Sequence, residues 1–189
     1  MANFAAIYDA CVLYPAPLRD LLVRLGQTGL FRARWTDQIH DEWIRNLQAN
    51  RPDLKPAQLQ RARELMDRAV PDCLVRGYEP LVGGLVLPDP GDRHVLAAAV
   101  CAQAGVIVTY NRADFPSSAL EPYGIEVQHP DEFVRHLFDL SPAAVCQAVR
   151  EQRAALVQPP KSVPELMAIF LRAGLAGTVA ALEEMQTLL

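Results

Sequence analysis

The chain has 189 residues, 51% of them hydrophobic and 21% charged, with a formal net charge of -4. That balance supports one packed domain with room for a small appendage, and it excludes a nucleic-acid coating protein that is basic throughout. No apolar stretch is long enough to cross a membrane. Met1-Ala2-Asn3-Phe4 opens without a basic segment or a signal-peptide core, so the expected location is the cytoplasm. Cys11, Cys73, Cys101 and Cys146 have no zinc spacing and no CxxC and read as reduced core or interface residues.

In chain order, Phe4-Ala5-Ala6-Ile7-Tyr8 is too short and too continuously apolar for anything but a buried strand. Asp9 then stands at its carboxyl end, where open α/β sheets place their ligands. Pro15 and Pro17 break the chain. Leu18, Leu21, Leu22 and Leu25 recur at helical spacing until Gly26 or Gly29. Leu30 to Trp35 is a brief extended piece, and Thr36 is an N-cap for a helix over 37–47. Ile39, Trp43 and Leu47 share one face of that helix, with Glu42 beside it. A connector at 51–56 leads to a helix over 57–69, with Leu59, Ala62, Leu65, Met66 and Ala69 inward. Residues 72–75 form a possible strand, and 78–86 is irregular.

Leu87-Pro88-Asp89-Pro90-Gly91-Asp92 is a breaker-rich turn. It ends in an Ala-rich helix running from Asp92, in the N-cap position, to about Ala104. Capping needs one carboxylate, and this turn supplies two. Val106-Ile107-Val108-Thr109 is the clearest buried strand, and its carboxyl end delivers Tyr110-Asn111-Arg112-Ala113-Asp114. A short strand at 125–127 precedes a helix opened by Pro130, with Phe133, Leu137 and Phe138 inward. Ser141-Pro142 starts another helix to about Leu156, and residues 158–161 form a linker. Two further helical runs cover 162–189, broken near Gly174 and Gly177. Their apolar face is Leu175, Val179, Leu182, Met185 and Leu189. It packs either on the main domain or on a partner. Strand and helix alternation gives a mostly parallel sheet with helices on both sides.

Asp9, Asp92 with Asp89 beside it, and Asp114 thus stand at strand ends and a helix start, and Glu42 comes from the second helix. Two unit charges about 4 Å apart repel by roughly 4 kcal/mol at an effective dielectric of 20. A shared pocket therefore needs raised carboxyl pKa values or a cation. All-oxygen donors without clustered His or Cys favour Mg²⁺ or Mn²⁺ over zinc. No Gly-rich phosphate loop, GxSxG elbow or Cys/His motif is present, and His40, His94, His129 and His136 are scattered and read as structural or solvated.

The ordered set Asp9-Ala10-Cys11-Val12-Leu13, Glu42, Asp92 with Val95-Leu96-Ala97-Ala98-Ala99, and Thr109-Tyr110-Asn111-Arg112-Ala113-Asp114-Phe115 resembles the PIN-domain nucleases, above all the VapC-type toxins. The resemblance spans residues 1–139, and the helical extension 140–189 is similar to one seen in a VapC-like subgroup. It implies a three-layer α/β/α PIN-like fold with a central, mostly parallel sheet. It also implies a Mg²⁺- or Mn²⁺-dependent endoribonuclease with Asp9, Glu42, Asp92 and Asp114 as catalytic acids and Asp9, Asp92 and Asp114 on the metal. Thr109 and Asn111 would support the carboxylates, Asp89 is additional, and side-chain hydrogen bonds from Ala10 and Cys11 are expected to be weak or absent. Arg32, Arg34, Arg45, Arg93 and Arg112 are the candidates for RNA contact. The implied partners are an RNA substrate, a cognate antitoxin and a second copy in a homodimer, with no membrane. The alternatives are a PIN-fold binding module that does not cut and a phosphoryl-transfer hydrolase. For a haloacid-dehalogenase-like phosphatase, Cys11 stands where a second Asp belongs. A receiver domain lacks its Lys after Val127.

Overall fold

A computed structural model of the chain describes residues 4–185. Met1-Ala2-Asn3, and Leu189 of the expected apolar face, lie outside the described residues. Four strands, β1 (Ala5–Tyr8), β2 (Arg32–Arg34), β3 (Val106–Val108) and β4 (Glu126–Gln128), form a parallel sheet in the order β2-β1-β3-β4. The chain leaves β1 to one side and returns to its other side as β3, with Ile7 opposite both Arg34 and Ile107. The order of strands therefore reverses at β1, and the crevice beyond the carboxyl ends of β1 and β3 is the switch point of the sheet. Every residue of β1 is fully buried, as a continuous apolar run covered on both faces requires.

The helices are α1 (Ala10–Leu13), α2 (Ala16–Gly26), α3 (Asp37–Asn50), α4 (Pro56–Ala69), α5 (Glu79–Val82), α6 (Arg93–Cys101), α7 (Ser117–Leu120), α8 (Pro130–Leu140), α9 (Pro142–Ala155), α10 (Val163–Arg172) and α11 (Ala176–Glu183). With the sheet they make a three-layer α/β/α fold extended by helices at the carboxyl end. Thr36 caps α3 as its sequence position demands, its hydroxyl accepting from the Ile39 N–H at 3.0 Å. Ile39, Trp43 and Leu47 are buried on the face the spacing defined.

Several expectations need correction. Residues 72–75 form no strand. Only Leu74 pairs with the chain, in a single bridge to Trp35. Residues 78–86 contain the one-turn helix α5, started by Pro80 within its first turn. The helix after the breaker turn runs from Arg93 to Cys101 rather than to Ala104, because Gln103 takes a left-handed conformation at φ 50°. Leu65 is exposed, since only Leu59 and Met66 of α4 are fully buried. Gly177 lies inside α11 and does not interrupt it.

The last three helices are built onto the sheet domain. Helix α9 packs on α2 and α8, α10 on α2 and α11, and α11 on α8. Leu175, Val179 and Leu182 are buried in that packing. Helix α11 has no cap of its own at Leu175. Asp131 of α8 supplies one, its carboxylate accepting from the Gly177 N–H at 2.9 Å and from the Thr178 N–H and hydroxyl at 2.7 Å each. Among the described residues no helix is long and apolar enough to cross a membrane.

Candidate active site

The site begins where β1 ends. The Asp9 N–H still donates to the Val108 carbonyl at 3.1 Å, continuing the β1–β3 ladder. Its backbone is extended and its side chain caps α1, with Oδ1 accepting from the Ala10 N–H at 2.6 Å. The other oxygen is held from the residue that follows β3. Thr109, fully buried, donates its hydroxyl to Asp9 Oδ2 at 2.7 Å. The Asn111 N–H in turn donates to the Thr109 hydroxyl oxygen at 3.0 Å. Helix α1 is pinned by Arg19, which donates to the carbonyl of Leu13 at 2.6 Å and lies over the Trp43 ring at 4.5 Å.

Cys11 takes part in the site. Its thiol donates to Asp9 Oδ2 at 3.1 Å, lies 3.2 Å from the Thr109 hydroxyl and accepts from the Tyr110 N–H at 3.3 Å. Burial, then the charge of Asp9, pushes that thiol up to about 12, so it stays protonated and remains a donor. The side-chain hydrogen bond beside Asp9, expected to be weak or absent, is present as a thiol bond, which is the weak kind. The sequence signal was a polarizable S–H two residues after the carboxylate, on the first turn of α1.

The breaker turn divides its two carboxylates. Asp89 is engaged locally, Oδ1 accepting from the Gly91 N–H at 2.7 Å and capping the tight turn Pro90–Asp92. Asp92 precedes α6 but makes no side-chain capping bond. Of the pair it is thus Asp92 whose oxygens stay open. Its carboxyl is pushed up to about 6, first by burial and then by the charges of Asp9, Asp89, Asp114 and Glu42. Asp9, Glu42 and Asp114, from three other segments of the chain, therefore act on Asp92. Asp114 sits half-buried on the tight turn Arg112–Asp114. Glu42 is partly buried on α3, its Oε1 2.9 Å from His94 Nε2. His94, two residues past Asp92 and 3% exposed, is a neighbour of the site that the sequence reading set aside as structural or solvated.

The ready-made metal triad is not there by distance. Among the described residues no three His, Cys, Asp or Glu side chains stand close enough together to hold an ion. The donor chemistry nevertheless fits a hard divalent cation: carboxylate oxygens only, in a field negative enough to hold one proton on Asp92 near pH 6. Asn111 contributes its backbone N–H, not a side-chain bond to a carboxylate. Among the arginines, Arg32, Arg45 and Arg112 are exposed, Arg34 and Arg93 half-buried. Arg112 pairs with Glu132 at 3.5 Å.

Residues 5–113 match the PIN domain family, from β1 to the turn that follows β3. The chain is a PIN-domain protein. Beyond the PIN domain, residues 130–184 match the VapC50 C-terminal domain. A protein of Mycobacterium tuberculosis named "Putative ribonuclease VapC50" is 46% identical over 69 residues, which is 36% of this chain and 41% of that relative. The match thus spans less than half of the relative's length. No solved structure matches the chain.

Proposed function

We propose that this PIN domain is a Mg²⁺- or Mn²⁺-dependent endoribonuclease and the toxin of a VapBC-type pair. Residues 1–139 form the nuclease unit and 140–189 its helical extension. The observation that carries the reading is the Asp92 carboxyl, raised to about 6 by burial and by four other acids, of which Asp9, Glu42 and Asp114 come from distant parts of the chain. Like charges gathered this way destabilise the fold unless positive charge joins them. Asp9, Asp92 and Asp114 would hold the cation, which when bound neutralises phosphate charge and favours in-line attack of water on a phosphodiester.

The chain's own side chains do the rest. Thr109 and Cys11 fix the orientation of Asp9 through Oδ2, and Asp89 shapes the turn that delivers Asp92. Glu42 binds His94 through Oε1, which leaves Oε2 to take a proton from the attacking water. The phosphorus–oxygen bond opposite the water breaks, and the leaving oxygen gains a proton from solvent. Arg32, Arg34, Arg45, Arg93 and Arg112 supply phosphate contacts, so binding weakens as salt rises. Arg112 exchanges Glu132 for a phosphate. The partners of this reading are structured RNA, a cognate antitoxin that covers the acidic groove, and a second copy in a homodimer, all in the cytoplasm. What supports it is the family, together with the name of the relative.

The test is cleavage of total RNA in Mg²⁺ or Mn²⁺ by the wild type, Asp9→Asn and Asp92→Asn. The wild type is expected to cut and both variants to lose at least about 100-fold. Mn²⁺ is expected to raise the melting temperature of the wild type and not of Asp92→Asn. Equal cleavage by all three overturns the nuclease reading and leaves a PIN fold that binds without cutting.

A further inference from the structure

Two histidines are buried in this fold, and their surroundings differ in a way that separates their roles. His40, fully buried, is satisfied at both ring nitrogens: Nε2 meets Asp67 Oδ1 at 2.9 Å, and Nδ1 accepts from the Trp43 indole N–H at 3.0 Å. That is how a structural histidine is held. His94 meets Glu42 Oε1 at 2.9 Å through Nε2, yet its Nδ1 is buried with no hydrogen-bond partner among the described residues. A buried acceptor left open keeps the full cost of its lost hydration. A side chain present only for packing would be replaced by an apolar one of similar shape.

The location supplies the reason. Glu42 rides on α3 and belongs to the field that raises Asp92. A partly exposed glutamate beside other carboxylates has many rotamers of similar energy unless a donor holds it. His94 sits on α6, two residues after Asp92. A carboxylate only accepts, so Nε2 carries the proton and donates it. One hydrogen bond thereby fixes Glu42 at a set offset from Asp92, because its donor is carried by the helix that Asp92 begins.

We propose that His94 is a positioning residue: it holds the Glu42 carboxylate in the acidic crevice by donating from Nε2, and leaves Oε2 facing the reaction. The inference rests on the nuclease reading above and adds to it a residue outside the acidic set. His94 acts through Glu42 alone, with no contact to RNA.

Three variants and a double variant test it. His94→Leu keeps the apolar bulk and removes the donor, whereas His94→Gln keeps an N–H donor within reach of Glu42. His94→Leu is expected to lower kcat about 10–100-fold with KM for RNA unchanged, and His94→Gln to recover most of the loss. Glu42→Gln with His94→Leu is expected to cut no more slowly than Glu42→Gln alone, since the second change removes a group that acts only through the first. Should His94→Leu fail to fold, His94→Asn, too short to reach Glu42, takes its place. Wild-type rates in His94→Leu, or losses that multiply in the double variant, overturn the proposal.

A second readout needs no activity. In the metal-free protein the His94 Nε2–H is expected to give a slowly exchanging proton resonance that disappears in Glu42→Ala, while that of His40 persists. An unchanged His94 resonance overturns the proposal. Failure of the wild type to cut RNA sinks the nuclease reading instead, and the resonance then decides whether the pin itself exists.

Discussion

At the residue scale, the acids of the crevice are held by side chains from other parts of the chain: Thr109 donates to Asp9 at 2.7 Å, and His94 meets Glu42 at 2.9 Å. Asp9 and Asp114 follow strands, and Asp92 precedes a helix, so their types and positions marked them. Asp92 was expected to cap the helix that follows it, but it makes no capping bond, and it is Asp89 that caps, accepting from the Gly91 N–H of the tight turn before that helix. Cys11 and His94 gain their roles from Thr109 and from Glu42, respectively 98 and 52 residues away. His40 makes the same point for stability. Burial first of all holds its imidazole below the usual 6.5, against the opposing pull of Asp67, and a proton on Nδ1 would face the Trp43 N–H. A group whose folded pKa is depressed gives its full contribution above the unfolded value and loses it as pH falls. Unfolding free energy is therefore expected to decline as pH drops below about 6.5, and urea titrations of His40→Gln are expected to lack that share of the slope. An identical pH profile in the two proteins would place the acid sensitivity elsewhere.

At the element scale, the signals that worked were apolar runs, helical spacing and caps. The β1 run, the Thr36 cap and the Ser141 cap, which accepts from the Ala144 N–H at 3.3 Å, each formed where local sequence required. The ones that failed lacked a local cause. The 72–75 run has strand-forming residues but only one neighbour to pair with, at Trp35. Helix α11 begins at a leucine with no capping side chain. Its cap arrives from Asp131, 46 and 47 residues earlier, where the sequence shows only an acid in the first turn of α8. Asp131→Ala removes all of these acceptors and is expected to destabilise the protein by about 1–2 kcal/mol in chemical denaturation. Asp131→Asn, which keeps one acceptor oxygen, is expected to lose less. A stability unchanged in Asp131→Ala would mean that water replaces the cap and that α11 is held by its apolar face alone.

At the scale of the whole molecule, the open question in the sequence was whether the apolar face of the last helices packs on the main domain or waits for a partner. The structure answers it for the described residues: the extension is part of the same core. Val145, Cys146, Ala148 and Val149 of α9 are buried, as are Leu166, Met167 and Phe170 of α10. Gln152 reaches back to donate to the Pro17 carbonyl at 2.8 Å. Tyr110, between Thr109 and Asn111 in the site itself, donates its hydroxyl to the Ala173 carbonyl at 2.6 Å, with His129 edge-on to its ring. The helical extension thus closes over the back of the loop that carries Thr109 and Asp114. Cutting the chain after Leu140 would expose the faces of α2 and α8 that α9 covers, and each large apolar side chain returned to water forfeits about 1.5–3 kcal/mol. Several such losses exceed the whole stability of a domain this size. A fragment of residues 1–140 is therefore expected to lack a cooperative thermal transition and to aggregate, whereas Tyr110→Phe in the full chain is expected to keep its fold with faster amide exchange through residues 109–115. A fragment that melts cooperatively near the temperature of the full protein would show instead that the sheet domain stands alone and that α9 to α11 are a detachable module.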